Sequence, residues 1–538
     1  MSKVFIQPPA RLHLVLMWVF KLLIIKVLKM KNKTQLYSLL LLSVVLIFSC
    51  KKSYLEVDPQ GQTTEALALK DPDAASKLVG GVYNSLYFGG FDKTTVGFLW
   101  VLANDVASDD ADKGSTPGDF SDLGLIDNFN PNPNIFIFNN IWTGHFSGIV
   151  SANKAIDILG KSTLDATTKN RLLGEARFIR GLYYFNLVRF FGGVPKLITV
   201  PLPSEGNSDA LNTRATAADI YSVIISDFQF GVDNLPLVGD PTTQTGRANK
   251  GAAQSYLAKV YMYQRNWQKV LDLTTAVINS GKYALVPDYN YIFREKAVGG
   301  QGGINNSESI FEVQTGINVG ANAVSPLFSN GQGARSRGGW NDLGFGLNTP
   351  SQDLANAYEA GDTRKNATII FVQPTLPGNS PGTILFDGFR IPTKDSVEND
   401  RYSYKPYHSA LTESAQLDNN KDTKPKNIRL MRYSEVLLMY AEASSMLGNA
   451  DGANKLNLVR SRANLPATTL TQANVWKERR TELAMEEDRF LDLVRQGRAG
   501  VVLRALGKPF VDGKHELFPI PQAQIDLSGG RLKQNPNY

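Results

Sequence analysis

Three widely separated stretches of this chain repeat one pattern. At offsets 0, 3, 4, 7 and 10 they read Phe178/Gly181/Leu182/Phe185/Val188, Ala253/Tyr256/Leu257/Val260/Tyr263 and Leu437/Tyr440/Ala441/Ser444/Leu447. The spacing puts each set on one stripe of an α-helix. Large residues alternate with Gly, Ala or Ser, so a neighbouring helix can approach closely over the small ones. Two of the stretches run into a short turn and a second amphipathic segment. Arg265-Asn266-Trp267 opens a helix to about Ile278, ended by Ser280-Gly281, and Gly448-Asn449 opens one through Leu456 and Val459. Glycine just past a helix supplies its left-handed cap. These are helical hairpins of the tetratricopeptide kind, which bury their apolar faces only by stacking.

The hairpins are not contiguous. After Val188 the chain passes through Phe191-Gly192-Gly193-Val194-Pro195 and a loop before a helix at Ala217 to Phe228. A further helical pair is expected at Pro72 to Tyr87 and Phe146 to Leu159, with Trp142 and Trp267 in helical patterns as core. Residues 282–425 lack the pattern and hold strand-like runs, Ser309 to Val313 and Thr368 to Val372. The expected fold is mainly α: a tetratricopeptide-like hairpin scaffold with a large irregular, partly β, loop-rich insertion. Its parts are an N-terminal helical part (about 50–281), the insertion (282–425) and a C-terminal helical part (426–538).

Residues 1–49 read as a leader. Lys31 and Lys33 follow Met30, and Leu36 to Phe48 form an apolar run of signal-peptide length, well short of the roughly 20 residues of a spanning helix. Residues 1–29 carry a second, Lys-broken apolar stretch, and Met30 makes the better start. Cys50 is the chain's one cysteine, so it has no partner for an internal disulfide. Ile47-Phe48-Ser49-Cys50 resembles a bacterial lipobox, with Phe48 bulkier than usual, which makes Cys50 the expected lipid attachment. The alternatives are a cleaved signal with an incidental thiol, or an uncleaved anchor. The formal net charge of +7 equals the contribution of Lys3, Arg11, Lys21, Lys26, Lys29, Lys31 and Lys33, with no acid before Cys50. The mature part is therefore formally neutral, and no nucleic-acid partner is expected.

Most catalytic signatures are missing. His145, His408 and His515 stand far apart, so no zinc site is expected. No phosphate loop, dinucleotide fingerprint or Gly-x-Ser-x-Gly elbow occurs, and no cofactor is expected. Glu482, Glu486 and Asp488 suggest paired carboxylates for glycoside hydrolysis. Arg479, Glu482, Glu486, Arg489 and Asp492 at helical spacing read better as an ion-pair ladder along one helix. Asp109, Asp110, Asp112 and Gly114 loosely follow a calcium loop, without its bidentate Glu; a solvated turn is the simpler reading.

Two loops suit a sugar, whose rim of hydroxyls wants amides and charged groups and whose C–H faces want flat aromatics. In one, Asn128, Phe129, Asn130, Asn132, Asn134 and Phe136 alternate amides with aromatics and prolines. The other, from Gly333 to Asp342, offers Arg337 and Trp340. These eight residues are the candidate ligand contacts, and an ordinary solvated connection is the alternative for either loop.

Ordered blocks across the mature chain resemble the SusD/RagB family, lipoproteins of nutrient uptake in Bacteroidetes-type bacteria. They include Cys50 with Tyr54-Leu55-Glu56, Ala107-Ser108-Asp109-Asp110, Glu175-Ala176-Arg177-Phe178-Ile179-Arg180 with Tyr183-Tyr184-Phe185, Phe191-Gly192-Gly193-Val194-Pro195, Arg432 through Ala443, Glu478-Arg479-Arg480 and His515 through Pro521. The chain closes on Gln534-Asn535-Pro536-Asn537-Tyr538, with Asn537 where the family usually has Gly. The resemblance implies a lipid-anchored outer-membrane protein facing the cell exterior. It would capture an oligosaccharide or polysaccharide (in some members a peptide) without chemistry and lid a SusC-like TonB-dependent β-barrel transporter. It also implies that the quoted blocks are scaffold, with ligand residues in variable loops; the 127–136 loop lies where a starch-binding member carries part of its site. Lys51-Lys52 depart from the acids often found after the lipidated cysteine. A surface glycoside hydrolase using Glu486 and Asp488, or a scaffold without small ligand, are the alternatives.

Overall fold

Helix caps written into the sequence start the scaffold. The computed structural model describes residues 65–315, 327–375, 382–409, 411–413 and 426–538. Helix α1 (Pro72–Tyr83) is capped by Asp71 and followed by a 3-10 turn, Asn84–Tyr87. Helix α2 (Phe98–Val106) is buried over its whole length. Helix α3 (Phe136–Gly160) begins ten residues before the expected Phe146. Asp165 caps α4 (Ala166–Phe191), and Gly192, at φ 76°, ends it. Thr216 and Asp219 form a reciprocal capping box at α5 (Ala217–Asn234). Asn249 caps α6 (Lys250–Tyr263), and Asn266 caps α7 (Trp267–Asn279). After the insertion come α8 (Tyr433–Leu447), closed by left-handed Gly448, then α9 (Gly452–Arg462), α10 (Gln472–Leu483) and α11 (Arg489–Arg495).

These helices stack in chain order. Helix α4 packs between α3 and α5, α6 between α5 and α7, and α7 reaches across the insertion to α8, which also holds α9 and α10. The small residues set the approach. A Cβ on Gly148 would stand 2.2 Å from the Tyr183 ring, and one on Gly181 3.2 Å from Phe228. The architecture is mainly helical, as expected. The single apolar stripe is too narrow a description, however: residues 178–191 of α4 are all buried, whereas Leu447 at the end of the third stripe is 44 % exposed. The polar side of α4 is buried through pairing. Arg180 reaches Asp227 on α5 at 2.7 Å, and Glu175 meets Arg247 at 2.9 Å.

The insertion leaves and returns through a strand pair. Strand β2 (Ser309–Val313) runs antiparallel to β8 (Ile428–Arg432), which leads directly into α8. Strand β1 (Ala111–Gly114) pairs with β3 (Leu347–Pro350), and β4 (Ile369–Phe371) with β7 (Arg401–Ser403). A small hairpin joins β5 (Thr383–Ile384) to β6 (Arg390–Ile391). Both strand-like runs read from the sequence are strands. The main core runs through α2 to α8, and a second cluster, with Tyr402, Tyr404 and Ile391, centres on the insertion.

Candidate functional site

The segment from Asp112 to Asp122 joins the two loops singled out by composition. Strand β1 ends at Gly114, where φ is 72° and a Cβ would meet the Gly346 carbonyl at 2.4 Å. Ser115, Phe120 and Phe129 then adopt φ of 54°, 50° and 49°. Three left-handed non-glycine residues so close together are costly, and such strain collects at functional sites. On one flank, the Lys113 backbone N–H donates to Asp127 at 2.8 Å, at the head of the 127–136 loop. On the other, Arg335 donates to the Ser115 hydroxyl at 2.8 Å and pairs with Asp119. Hydrogen bonds from Ser115 and Thr116, with Arg335 adding, hold the Asp119 carboxyl below its usual range. Burial, with Asp127 nearby, pushes Asp112 up. Beside this segment lies a cleft of about 440 Å³, lined by Asp112, Ser115, Glu398, Asn399, Asp400 and Arg401 among others.

The candidate contacts divide by exposure. Asn128, Asn130, Asn132 and Asn134 all face solvent. Asn128 donates to the Gly124 carbonyl at 2.7 Å, and the Asn132 side chain accepts the Asn134 N–H at 2.9 Å. Phe129 does not join them. It is 5 % exposed, with the rings of Phe510 and His515 5.3 and 5.4 Å away, so its faces are covered by the core and offer no sugar a platform. Phe136 is half-buried, edge-on to Phe120 at 5.5 Å. Arg337 lies at the cleft rim beside Glu398, at 3.5 Å. Trp340 is half-buried; its indole N–H donates to the Ser396 carbonyl at 2.9 Å, leaving ring surface as its free contact.

Sequence reasoning missed two rings. Phe91 is 50 % exposed and, among the described residues, the one aromatic side chain open to that degree. It sits edge-on to Phe98 at 5.5 Å and to Phe120 at 6.0 Å, so Phe91, Phe120 and Phe136 form one aromatic surface. Periodicity cannot find a ring in a turn. The usable signal was an aromatic set between Gly89-Gly90 and Asp92-Lys93, where no core pattern calls for one.

The remaining carboxylates are taken up by cations. Arg489 grips Asp109 with two hydrogen bonds of 2.7 Å, and Arg480 reaches Asp110 at 2.8 Å, so guanidinium charge fills the place a calcium ion would take. Among the described residues no group of three or more His, Cys, Asp or Glu is set to hold a metal. Glu486 is paired to Lys405 and Arg432, and Asp488 to Arg189 and Lys259. Both carboxylates are thus engaged in ion pairs within the scaffold, not set as a free acid and base. The single-helix ladder is also corrected. The chain breaks between α10 and α11, where Met485 and Glu487 have φ of 63° and 66°, and most partners come from other elements. Cys50 lies outside the described residues.

Scaffold and loops together define a class: a mainly helical protein of stacked hairpins with a loop-rich, partly β insertion. The chain belongs to the SusD/RagB family. The SusD family model matches residues 307–538, and the family described as "Starch-binding associating with outer membrane" matches 103–262. "SusD-like protein P2" of Formosa agariphila is 25 % identical over 516 residues, 90 % of this chain and 96 % of that protein. A solved "Laminarin binding SusD-like protein" superposes with a TM-score of 0.70 at 26 % identity, covering 87 % of this chain and 99 % of its own. Surface glycan-binding protein A of Bacteroides thetaiotaomicron, solved with laminarihexaose, gives 0.72 at 24 % identity, over 87 % and 100 % of the two chains. The two solved proteins are named for binding glycans.

Proposed function

We propose that this chain is a cell-surface lipoprotein that captures an oligosaccharide and passes it to a SusC-like TonB-dependent barrel in the outer membrane. Acyl chains on Cys50 hold it there, facing outward. The ligand lies over Phe91, Phe120 and Phe136, with Asn128, Asn130, Asn132 and Asn134 supplying hydrogen bonds from one flank, and Arg337 a donor and Trp340 a ring face from the other. The observation that carries this reading is Phe91. A half-exposed ring backed edge-on by two others is rigid, presents a flat apolar face to water and gains by being covered. The C–H face of a sugar fits it. The laminarin-binding relative makes β-1,3-glucan the first ligand to try.

The test is a glycan array and calorimetry on the soluble form starting at Lys51, with laminarin oligosaccharides included. Phe91→Ala is expected to weaken the bound glycan by about tenfold or more, a loss of ~1.4 kcal/mol. Asn130→Ala and Trp340→Ala weaken it less, and no reducing ends are released. Unchanged affinity in all three variants would remove this surface from the reading.

A further inference from the structure

We infer that Asp105 and Glu487 together form a proton-held latch, which fastens the root of the Asp112 to Asp122 segment and loosens as pH rises from acid to neutral. It is a property of the fold and does not depend on which ligand the chain binds. Three parts meet at the latch. Helix α2 carries Asp105 and leads through residues 107–110 into β1, the strand in which the segment begins. Strand β3, the partner of β1, brings Asn348, and the turn between α10 and α11 brings Glu487.

Nothing around Asp105 favours a charge. The residue is 0 % exposed and stands in the last turn of α2, where the helix dipole disfavours an anion. Its Oδ2 accepts from the Asn348 amide at 2.7 Å and its Oδ1 from the Glu487 backbone N–H at 3.1 Å, both neutral donors. Asn348 is fully buried and held at φ 54°, and the same amide nitrogen donates to Gln332 at 2.9 Å. Among the described residues, neither Asp105 nor Glu487 has a Lys or Arg as ion-pair partner. The acids beside them do: Arg489 and Arg480 hold Asp109 and Asp110, and Lys259 and Arg189 hold Asp488. Glu487 is half-buried in its left-handed turn, and its Oε2 is sealed from solvent without a hydrogen bond. A carboxyl taken out of water without a cation keeps its proton. Burial pushes Asp105 up to about 7, with Asp110 adding to it, and pushes Glu487 well above its usual range, with Asp488 and Asp105 adding.

The charged groups on the surrounding elements are spent elsewhere. Lys405 pairs with Glu486, and Lys259 with Glu435 and Asp488. On α11, Arg489 is taken by Asp109, and Asp492 by Arg479 and Arg495. Lys508 binds the Val106 and Ser108 carbonyls and Asp127, and Asp122 accepts the Phe136 N–H. On β1, Lys113 donates to the Thr116 and Asp119 carbonyls, and Asp112 is exposed. His145 on α3 meets the Trp100 ring at 5.4 Å, and burial lowers it to about 4, so it stays neutral. When the three parts separate, both carboxyls reach water and return to the ordinary carboxylate range, so opening releases protons. The latch is therefore at full strength below that range. Raising the pH from about 4 to about 7 favours opening through Asp105, and Glu487 extends the effect upward. Above about 7 Asp105 is ionised in place and adds no further dependence.

The experiment is hydrogen exchange by mass spectrometry on the full-length chain in detergent, at about pH 5 and about pH 8, each rate divided by that of unstructured chain at the same pH. Peptides covering residues 98–114 and 347–350 are expected to open about tenfold or more as often at the higher pH, while the buried half of α4 changes little. Asp105→Asn, which is isosteric and cannot titrate, removes most of that rise, and Glu487→Gln removes part of it. Infrared spectra of the unaltered chain at the same two pH values need no variant. They are expected to show the carbonyl stretch of a buried protonated carboxyl at the lower pH, weakened at the higher. Equal opening at both pH values, a rise that survives both substitutions, or an infrared band that does not change with pH overturns the latch.

Discussion

At the residue scale, two helical glycines with opposite surroundings test how tightly the scaffold is built. Gly148 in α3 faces Tyr183, whose hydroxyl is 2.6 Å from the Ser85 side chain, and a Cβ there would stand 2.2 Å from the ring. Gly81 in α1 is exposed, with nothing within 4 Å of its Cβ position. Gly148→Ala is expected to cost roughly 2–4 kcal/mol, because a packed ring must move or lose its bond. Gly81→Ala is expected to add about 0.5–1 kcal/mol from helix propensity alone. Urea denaturation of both variants checks the pair, and equal changes of one sign would refute the packing argument. Residue type read well where chemistry is local. The exposed amides of the 127–136 loop follow from their composition. Phe129 was misread because an aromatic in a polar loop looks the same whether it points to solvent or to rings from far along the chain, here Phe490 and Phe510.

At the scale of elements, the insertion is fastened to the scaffold by buried charge more than by sheet. Arg432, the last residue of β8, meets Glu308 just before β2 at 2.5 Å, Glu482 on α10 at 3.1 Å and Glu486 at 2.7 Å. Arg462 on α9 and Arg364 from the insertion also reach Glu482, at 2.5 and 3.0 Å. Burial pushes the Glu482 carboxyl up, but three guanidiniums overcome it and hold the group well below its usual range. The sequence showed these charges at helical spacing and so suggested a ladder. Which partner each takes depends on strand β8, helix α9 and residue 364 converging, and no local pattern encodes that. Removing one member leaves carboxylates buried without full compensation. Arg432→Met is therefore expected to cost about 3–5 kcal/mol. Lys161→Ala, which breaks a solvent-exposed pair with Asp157, costs at most about 0.5 kcal/mol. Chemical denaturation compares them, and similar losses would mean the cluster is not what joins the two parts.

At the scale of the whole molecule, the repeat pattern disclosed the hairpins, but not that α7 and α8, separated by the insertion, complete one stack. That contact is non-local, and the small residues on each side announce only that some helix comes close. None of the described helices is long and apolar enough to cross a membrane, and the chain after residue 49 is formally neutral. In the proposed function anchoring falls to Cys50, with about 0.8 kcal/mol for each buried methylene and more than one chain needed for stable attachment. In cells producing the full chain, Cys50→Ser is expected to move the protein from the detergent phase to the aqueous phase on phase partitioning, and to abolish labelling by radioactive palmitate. Affinity for the glycan should be unchanged, because the proposed contact surface stands on loops of the Thr64–Tyr538 unit, which does not include Cys50. If Cys50→Ser stays in the detergent phase, the apolar run from Leu36 to Phe48 is an uncleaved anchor. The protein would then be held by a peptide segment instead of lipid.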